Sequence, residues 1–131
     1  GFRCLDSLLI THWHADAVAG LDDLRDFTAN VPEHEGLTVH CNAATFATVK
    51  KNFGYLVKSP EEVRALKASG GGVAEVAFST FTDGESFEPV AGVMCTPFNV
   101  EHGGCRDMSV FRIGSLAYIS DVSKFPEASR R

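Results

Sequence analysis

Residues 4–25 of the chain read CLDSLLITHWHADAVAGLDDLR and pass from an apolar segment through a histidine-rich segment into a second apolar pattern. Residues 4–10 are largely apolar and have the length of a strand, whereas residues 11–16 are too polar to continue a buried strand. Apolar residues then recur at helical spacing as far as Phe27, and Asp16 is placed to cap the start of the helix. The sequence therefore predicts a strand, a polar loop and a helix in this order.

Three potential metal ligands, His12, His14 and Asp16, are spaced two residues apart within the polar segment. On a helix, residues two apart point about 200° away from each other, so the two imidazoles could not reach one ion. At the end of a strand, alternate side chains share a face, and a local curl can bring both histidine nitrogens to about 2.0–2.1 Å from one zinc ion. The spacing favours a metal site on a loop that follows a strand. The alternative is a pair of surface histidines on a loop that binds nothing.

Strands and helices continue to alternate beyond this segment. Leu37–Cys41 has the pattern of a short buried strand, and Asn42 is placed to cap the helix that follows. Residues 59–62, Ser-Pro-Glu-Glu, form a capping box with proline at the first helical position, and they predict a helix that ends at the glycines of residues 70–72. Alternation and short apolar runs predict further strands at 73–81, 85–88, 93–100, 108–113 and 116–120.

Composition narrows the class of protein. With 131 residues, 44% hydrophobic residues and a net charge of −5, the chain is expected to form one globular domain over residues 1–131. No apolar run approaches the roughly 18–20 residues that span a bilayer, so no membrane association is expected. The net negative charge argues against a surface that binds extended nucleic acid, whereas a small phosphate ester remains possible as a substrate. The cysteines show no CxxC spacing, which favours a reducing compartment, the cytoplasm.

The segment THWHADAVAGLDDLR, residues 11–25, resembles the THxHxDHxxG signature of the metallo-β-lactamase fold superfamily. The likeness is strongest to its phosphodiesterase-like branch, which includes ribonuclease Z and the cyclic-phosphate phosphodiesterase of phosphonate breakdown. His102 follows a predicted strand, as does the third metal histidine of this family, and residues 118–123, YISDVS, resemble the strand and aspartate that bridge its two metals. The resemblance implies an α/β fold, the αββα sandwich of this superfamily, and a metal-dependent hydrolase.

Carried over residue by residue, the resemblance implies a first metal site formed by His12, His14 and His102, with Asp121 reaching in and a water completing the coordination. Zn²⁺ is the expected ion and Mn²⁺ the alternative. Such an ion lowers the pKa of its water toward about 7, which supplies hydroxide for attack on a phosphorus or carbonyl centre. Asp16 would hold a second metal or accept a proton from this water, which makes it the candidate catalytic residue.

Two departures from the signature affect the second metal. Ala17 stands where the signature has a histidine directly after the aspartate, and the last histidine of the family has no counterpart between Asp121 and Arg131. The second site is left with Asp16 and Asp121, and two carboxylates without an imidazole suit manganese or magnesium better than zinc. We therefore expect one tightly bound ion and at most one weakly bound one.

The two remaining histidines and the tryptophan are not expected to bind the metal. His34 and His40 are expected to play no part in the site, although His40, at a strand end, is the better placed of the two to line it. Trp13, between the two histidines, is interpreted as a packing residue, with a platform for the substrate as the alternative.

The leading functional hypothesis is a hydrolase of phosphodiester bonds in a small phosphate ester. Three alternatives remain: a hydrolase of another ester, a thioester or a lactam; a catalytically impaired metal-binding or interaction domain on the same scaffold; and a metal-free α/β domain. The chain begins with Gly1, and this fold usually needs considerably more than 131 residues. We therefore expect the sequence to be part of a longer domain, without its early strands and its closing segment.

Overall fold

The computed structural model describes residues 5–28, 37–69 and 74–130. A parallel sheet is formed by β1 (Ser7–Leu9), β2 (Leu37–Cys41) and β3 (Val76–Thr80), in the order β1-β2-β3. Its register aligns Leu8, Val39 and Phe78 across the strands, so these side chains share one face. That face belongs to the larger hydrophobic core. The strand predicted at residues 37–41 is confirmed, whereas those predicted at 4–10 and 73–81 are shorter within the described residues.

An antiparallel sheet forms the second layer. It contains β4 (Phe87–Val90), β5 (Val93–His102), β6 (Cys105–Ile113) and β7 (Leu116–Tyr118), in chain order. β5 and β6 run further than predicted because Gly103 and Gly104, with φ of +54° and +83°, form a tight turn that lets His102 pair with Cys105. The two sheets meet in an apolar cluster that includes Leu9, Phe81 and Phe111.

The first helical segment differs from the prediction. It begins with α1 (Ala15–Val18), continues as a 3₁₀ helix over Ala19–Leu24 and ends with α2 (Arg25–Thr28). Its buried apolar residues Val18, Leu21 and Leu24 are spaced by three, which places them on one face of a 3₁₀ helix with three residues per turn. His14 occupies the position before α1 and Asp16 lies in its first turn, so the prediction that Asp16 caps the helix is wrong.

Two further helices begin where the sequence predicts. These are α3 (Ala43–Asn52) and α4 (Pro60–Ser69). Before α4, the backbone N–H of Glu62 donates to Ser59 Oγ at 3.2 Å, and the N–H of Ser59 donates to the Glu62 carboxylate at 2.7 Å, which confirms the capping box. The glycines at which α4 was expected to end, residues 70–72, lie outside the described residues. No helix within the described ranges is long and apolar enough to cross a membrane.

Asn42 joins α3 to the second sheet as well as capping it. Its Oδ1 accepts the N–H of Thr45 at 2.8 Å, and its Nδ2 donates to the carbonyl of Asp107 in β6 at 2.8 Å. Asn42→Ala should therefore lower the free energy of unfolding by about 2–3 kcal/mol, the loss of a cap plus a broken buried hydrogen bond. Urea unfolding followed by circular dichroism measures this change. Ser59→Ala, which removes an exposed cap, is the matched control, and an equal loss in both variants would contradict the role of Asn42 between the layers.

Candidate metal centre

The imidazoles of three histidines converge at one edge of the two sheets. His12 follows β1, His14 precedes α1 and His102 ends β5. The ring centroids lie 4.5 Å apart for His12 and His14, 6.0 Å for His12 and His102, and 5.6 Å for His14 and His102. A Zn–N bond of about 2.0–2.1 Å puts a ring centroid roughly 3 Å from the ion, so rings at tetrahedral positions have centroids roughly 5 Å apart. The distance between His12 and His14 agrees with this spacing, and the two distances to His102 are up to about 1 Å longer.

His12 is the most buried member of this group, with 1% of its surface exposed. Its Nδ1 lies 2.9 Å from Thr11 Oγ1, whereas its Nε2 is buried and has no hydrogen-bond partner among the described residues. A buried polar nitrogen without a partner costs about 1–3 kcal/mol, and a bond to a metal ion would satisfy it. The donor set therefore fits a divalent ion.

The electrostatic surroundings keep His12 available as a ligand. Burial lowers the pKa of His12, and His14 and His102 add to this effect, while Asp16 and Asp121 oppose it. Because the net shift is downward, the surroundings favour the neutral ring, which is the form that offers a lone pair to a metal ion.

Two carboxylates lie near His12. Asp16 Oδ1 lies 3.9 Å from His12 Nε2, and candidate ligand atoms of His12, His14 and Asp16 all lie within 4.8 Å of one another. The side chain of Asp16 is 75% exposed, so it is open to a substrate or to water. His102 and Asp121 lie outside this tightest group of described residues, although Asp121 acts on the pKa of His12.

A cavity of about 350 Å³ opens beside this group. Its lining includes His12, Asp16, Ala17, Ser120 and Asp121. Ala17 thus faces the cavity from the position where the signature has a histidine, and both carboxylates of the expected second site reach the same space. The cavity is large enough for a small substrate beside the histidines.

Backbone pairing holds Asp121 near His102. After β7 the chain returns to the end of β5, where the N–H of Glu101 donates to the carbonyl of Lys124 at 3.0 Å and the N–H of Ser123 donates to the carbonyl of Glu101 at 2.8 Å. Since Glu101 precedes His102 and Ser123 follows Asp121 closely, this pairing brings two distant predicted residues to the same edge of the fold.

Three residues outside the predicted set have locations that the sequence did not indicate. Trp13 is 39% exposed and its ring centroid lies 4.6 Å from that of His14, so it packs against the histidine group while part of its ring remains open to solvent. Thr11 places a hydroxyl group next to His12, and the Ser120 hydroxyl donates a hydrogen bond to it. The sequence signal for both residues is that each directly precedes a predicted ligand.

His40 lies apart from the histidine group. It is buried beside Phe87, at 5.1 Å between ring centroids, and lines a second cavity with residues such as Ser79 and Thr80. Burial lowers the pKa of His40. His34 lies outside the described residues.

The two-sheet α/β architecture, with histidines and aspartates gathered at one edge, defines a domain of the metallo-β-lactamase fold class. The sequence agrees, because residues 1–131 match the model of a family described as the beta-lactamase superfamily domain. The chain belongs to this superfamily. Its fold implies the use of a divalent metal, and the cluster of histidines and Asp16 is present.

Solved structures give the same fold. The chain is similar to a diphosphatase from the PhnP family, with 28% identity and a TM-score of 0.77 over 98% of this chain and 44% of that one. Zn²⁺-bound PqqB from Methylobacterium extorquens has 25% identity and a TM-score of 0.51 over 85% of this chain and 31% of that one. The metallo-beta-lactamase fold protein YhfI from Bacillus subtilis has 17% identity and a TM-score of 0.57 over 86% of this chain and 39% of that one. The chain thus spans less than half the length of these three proteins. A separate comparison with curated proteins found no match.

Proposed function

We propose that this chain carries the metal centre of a hydrolase that cleaves phosphodiester bonds in a small phosphate ester. The observation that carries the proposal is the buried Nε2 of His12, which has no hydrogen-bond partner in the part of the chain that the structure describes and lies beside two other imidazoles and an exposed carboxylate. The phosphate preference is supported by the similarity to a diphosphatase of the PhnP family.

His12, His14 and His102 would hold the ion, with Asp121 as a further ligand and Zn²⁺ as the proposed metal. A divalent ion there supplies Lewis acidity, which lowers the pKa of water and polarises the bond that is attacked. Asp16 faces the cavity with an exposed carboxylate, so it can accept the proton that the attacking water gives up. Trp13, exposed beside His14, can pack against the organic part of the substrate.

The proposal is tested on the full-length protein with matched substrates. With zinc or manganese it should hydrolyse bis-p-nitrophenyl phosphate, and this activity should disappear in a chelator and return with the metal. Faster turnover of a p-nitrophenyl ester, a thioester or a lactam would move the substrate class to that alternative. Bound metal without turnover of any of these substrates would favour a metal-binding or interaction domain instead.

In this proposal Ala17 limits the number of bound ions, because the second site then has two carboxylates and no imidazole. We expect Ala17→His, which adds an imidazole there, to raise the bound zinc from about one to about two ions per chain. Metal analysis after equilibrium dialysis measures this number. Ala19→His, on the same helical segment but outside the cavity lining, is the control and should leave the number unchanged. Two tightly held zinc ions in the unmodified protein would contradict the expectation.

A further inference from the structure

Thr11 lies where two parts of the candidate metal centre meet. Its Oγ1 is 2.9 Å from His12 Nδ1 and accepts a hydrogen bond from Ser120 Oγ at 3.3 Å. Ser120 directly precedes Asp121, so one hydroxyl contacts both the histidine after β1 and the segment that carries the aspartate. These contacts join residues that are 109 positions apart in the chain.

The backbone of Thr11 is fixed independently of its hydroxyl. Thr11 is 6% exposed, and its carbonyl accepts the N–H of Ser109 in β6 at 2.8 Å. Ser109 is itself fully buried, and its Oγ donates to Asp83 and accepts from Asn42. Because Thr11 is anchored through its backbone, its hydroxyl can hold the ring of His12 in a defined orientation.

The orientation of the His12 ring decides whether it can bind a metal ion. Nε2 has no hydrogen-bond partner within the described ranges, and it offers a lone pair only when the ring proton is on Nδ1. The described atom that can accept this Nδ1–H is Thr11 Oγ1. When Nε2 binds an ion, Nδ1 carries the ring proton and Thr11 Oγ1 accepts it, which stabilises the tautomer that a ligand requires and prevents the ring from turning away.

We propose that Thr11 and Ser120 are positioning residues for the metal centre: Thr11 fixes the tautomer and direction of His12, and Ser120 ties the Asp121 segment to the same hydroxyl. This inference rests on the proposed function only in that His12 binds a metal ion. Neither hydroxyl is proposed to touch the ion or the substrate.

The test compares variants of the full-length protein by zinc affinity, measured by competition with a chromophoric chelator. Thr11→Val, which removes the hydroxyl but keeps the shape, should weaken zinc binding by about 10- to 100-fold, and Thr11→Ser should restore most of it. Ser120→Ala should have a smaller effect in the same direction. Thr96→Val is the matched control, because Thr96 is also buried and its Oγ1 lies 2.7 Å from Ser86 Oγ outside the centre. It should leave zinc affinity unchanged.

A second readout separates positioning from loss of stability. In ¹⁵N-labelled, zinc-loaded protein, the Nδ1–H of His12 should give a slowly exchanging signal in the unmodified chain and in Thr11→Ser, and this signal should be lost in Thr11→Val. Urea unfolding of the metal-free variants shows whether Thr11→Val and Thr96→Val lose similar stability.

The outcomes distinguish this inference from the proposed function. Equal zinc affinity in Thr11→Val and the unmodified protein, or an equal loss in Thr96→Val, would overturn the positioning role alone. Zinc binding with the expected Thr11 effect but without hydrolysis would support positioning and overturn the hydrolase. Absence of zinc binding in the unmodified protein would overturn both.

Discussion

His12→Ala is expected to abolish tight zinc binding and to reduce phosphodiester hydrolysis to background. A protein zinc site binds with about 10–16 kcal/mol shared among four ligands, so loss of one ligand costs about 2.5–4 kcal/mol, or about 10²–10³-fold in affinity. His12 should be at the upper end of this range, because it is the most buried of the three histidines and its Nε2 has no other described partner.

Metal analysis and a chelator competition assay measure the loss of zinc, and bis-p-nitrophenyl phosphate reports activity. His40→Gln is the matched control, because it also removes a buried imidazole whose Nε2 has no partner among the described residues, but away from the histidine group. It should retain both metal and activity. Zinc affinity retained in His12→Ala, or lost equally in both variants, would show that the three histidines are not the binding site.

Asp16→Asn is expected to lower kcat by about 10²–10⁴-fold while zinc remains bound, which is the usual contribution of a general base. Asparagine keeps the size and the hydrogen-bonding oxygen of the side chain but cannot take up a proton at neutral pH. The carboxylate of Asp16 is exposed and lines the cavity, as its proposed role as proton acceptor requires.

Zinc affinity and kcat should be measured on the same preparations of this variant. Asp23→Asn, which removes an exposed carboxylate on the same helical segment, is the control and should leave both unchanged. A loss of zinc as large as in His12→Ala would make Asp16 a metal ligand rather than a base, and unchanged kcat would remove it from the mechanism.

Features determined by neighbouring residues were predictable from the sequence. The cap at Asn42 and the capping box at Ser59 involve groups three positions apart, so a local pattern was sufficient to find them. The change from α-helix to 3₁₀ helix at Ala19 also has a local signal, because the buried residues Val18, Leu21 and Leu24 are spaced by three. The same spacing fits the apolar face of an α-helix nearly as well, so the sequence alone did not distinguish the two.

Features that depend on tertiary packing could not be derived from residue patterns. The approach of His102 to His12 requires β5, its hairpin and the two-sheet arrangement, and only the family resemblance had indicated it. The exposure of Trp13 and the contact between Ser120 and Thr11 follow from packing across the whole chain. No pattern near either hydroxyl in the sequence indicates its partner.

The central claim, that one divalent ion is held by His12, His14 and His102, is tested most directly by a crystal structure of the zinc-loaded full-length protein with anomalous data at the zinc edge. We predict an anomalous peak at about 2.0–2.1 Å from one ring nitrogen of each histidine, with Nε2 as the ligand atom of His12. A peak elsewhere in the protein, or a fully loaded crystal in which the three rings do not share an ion, would contradict it.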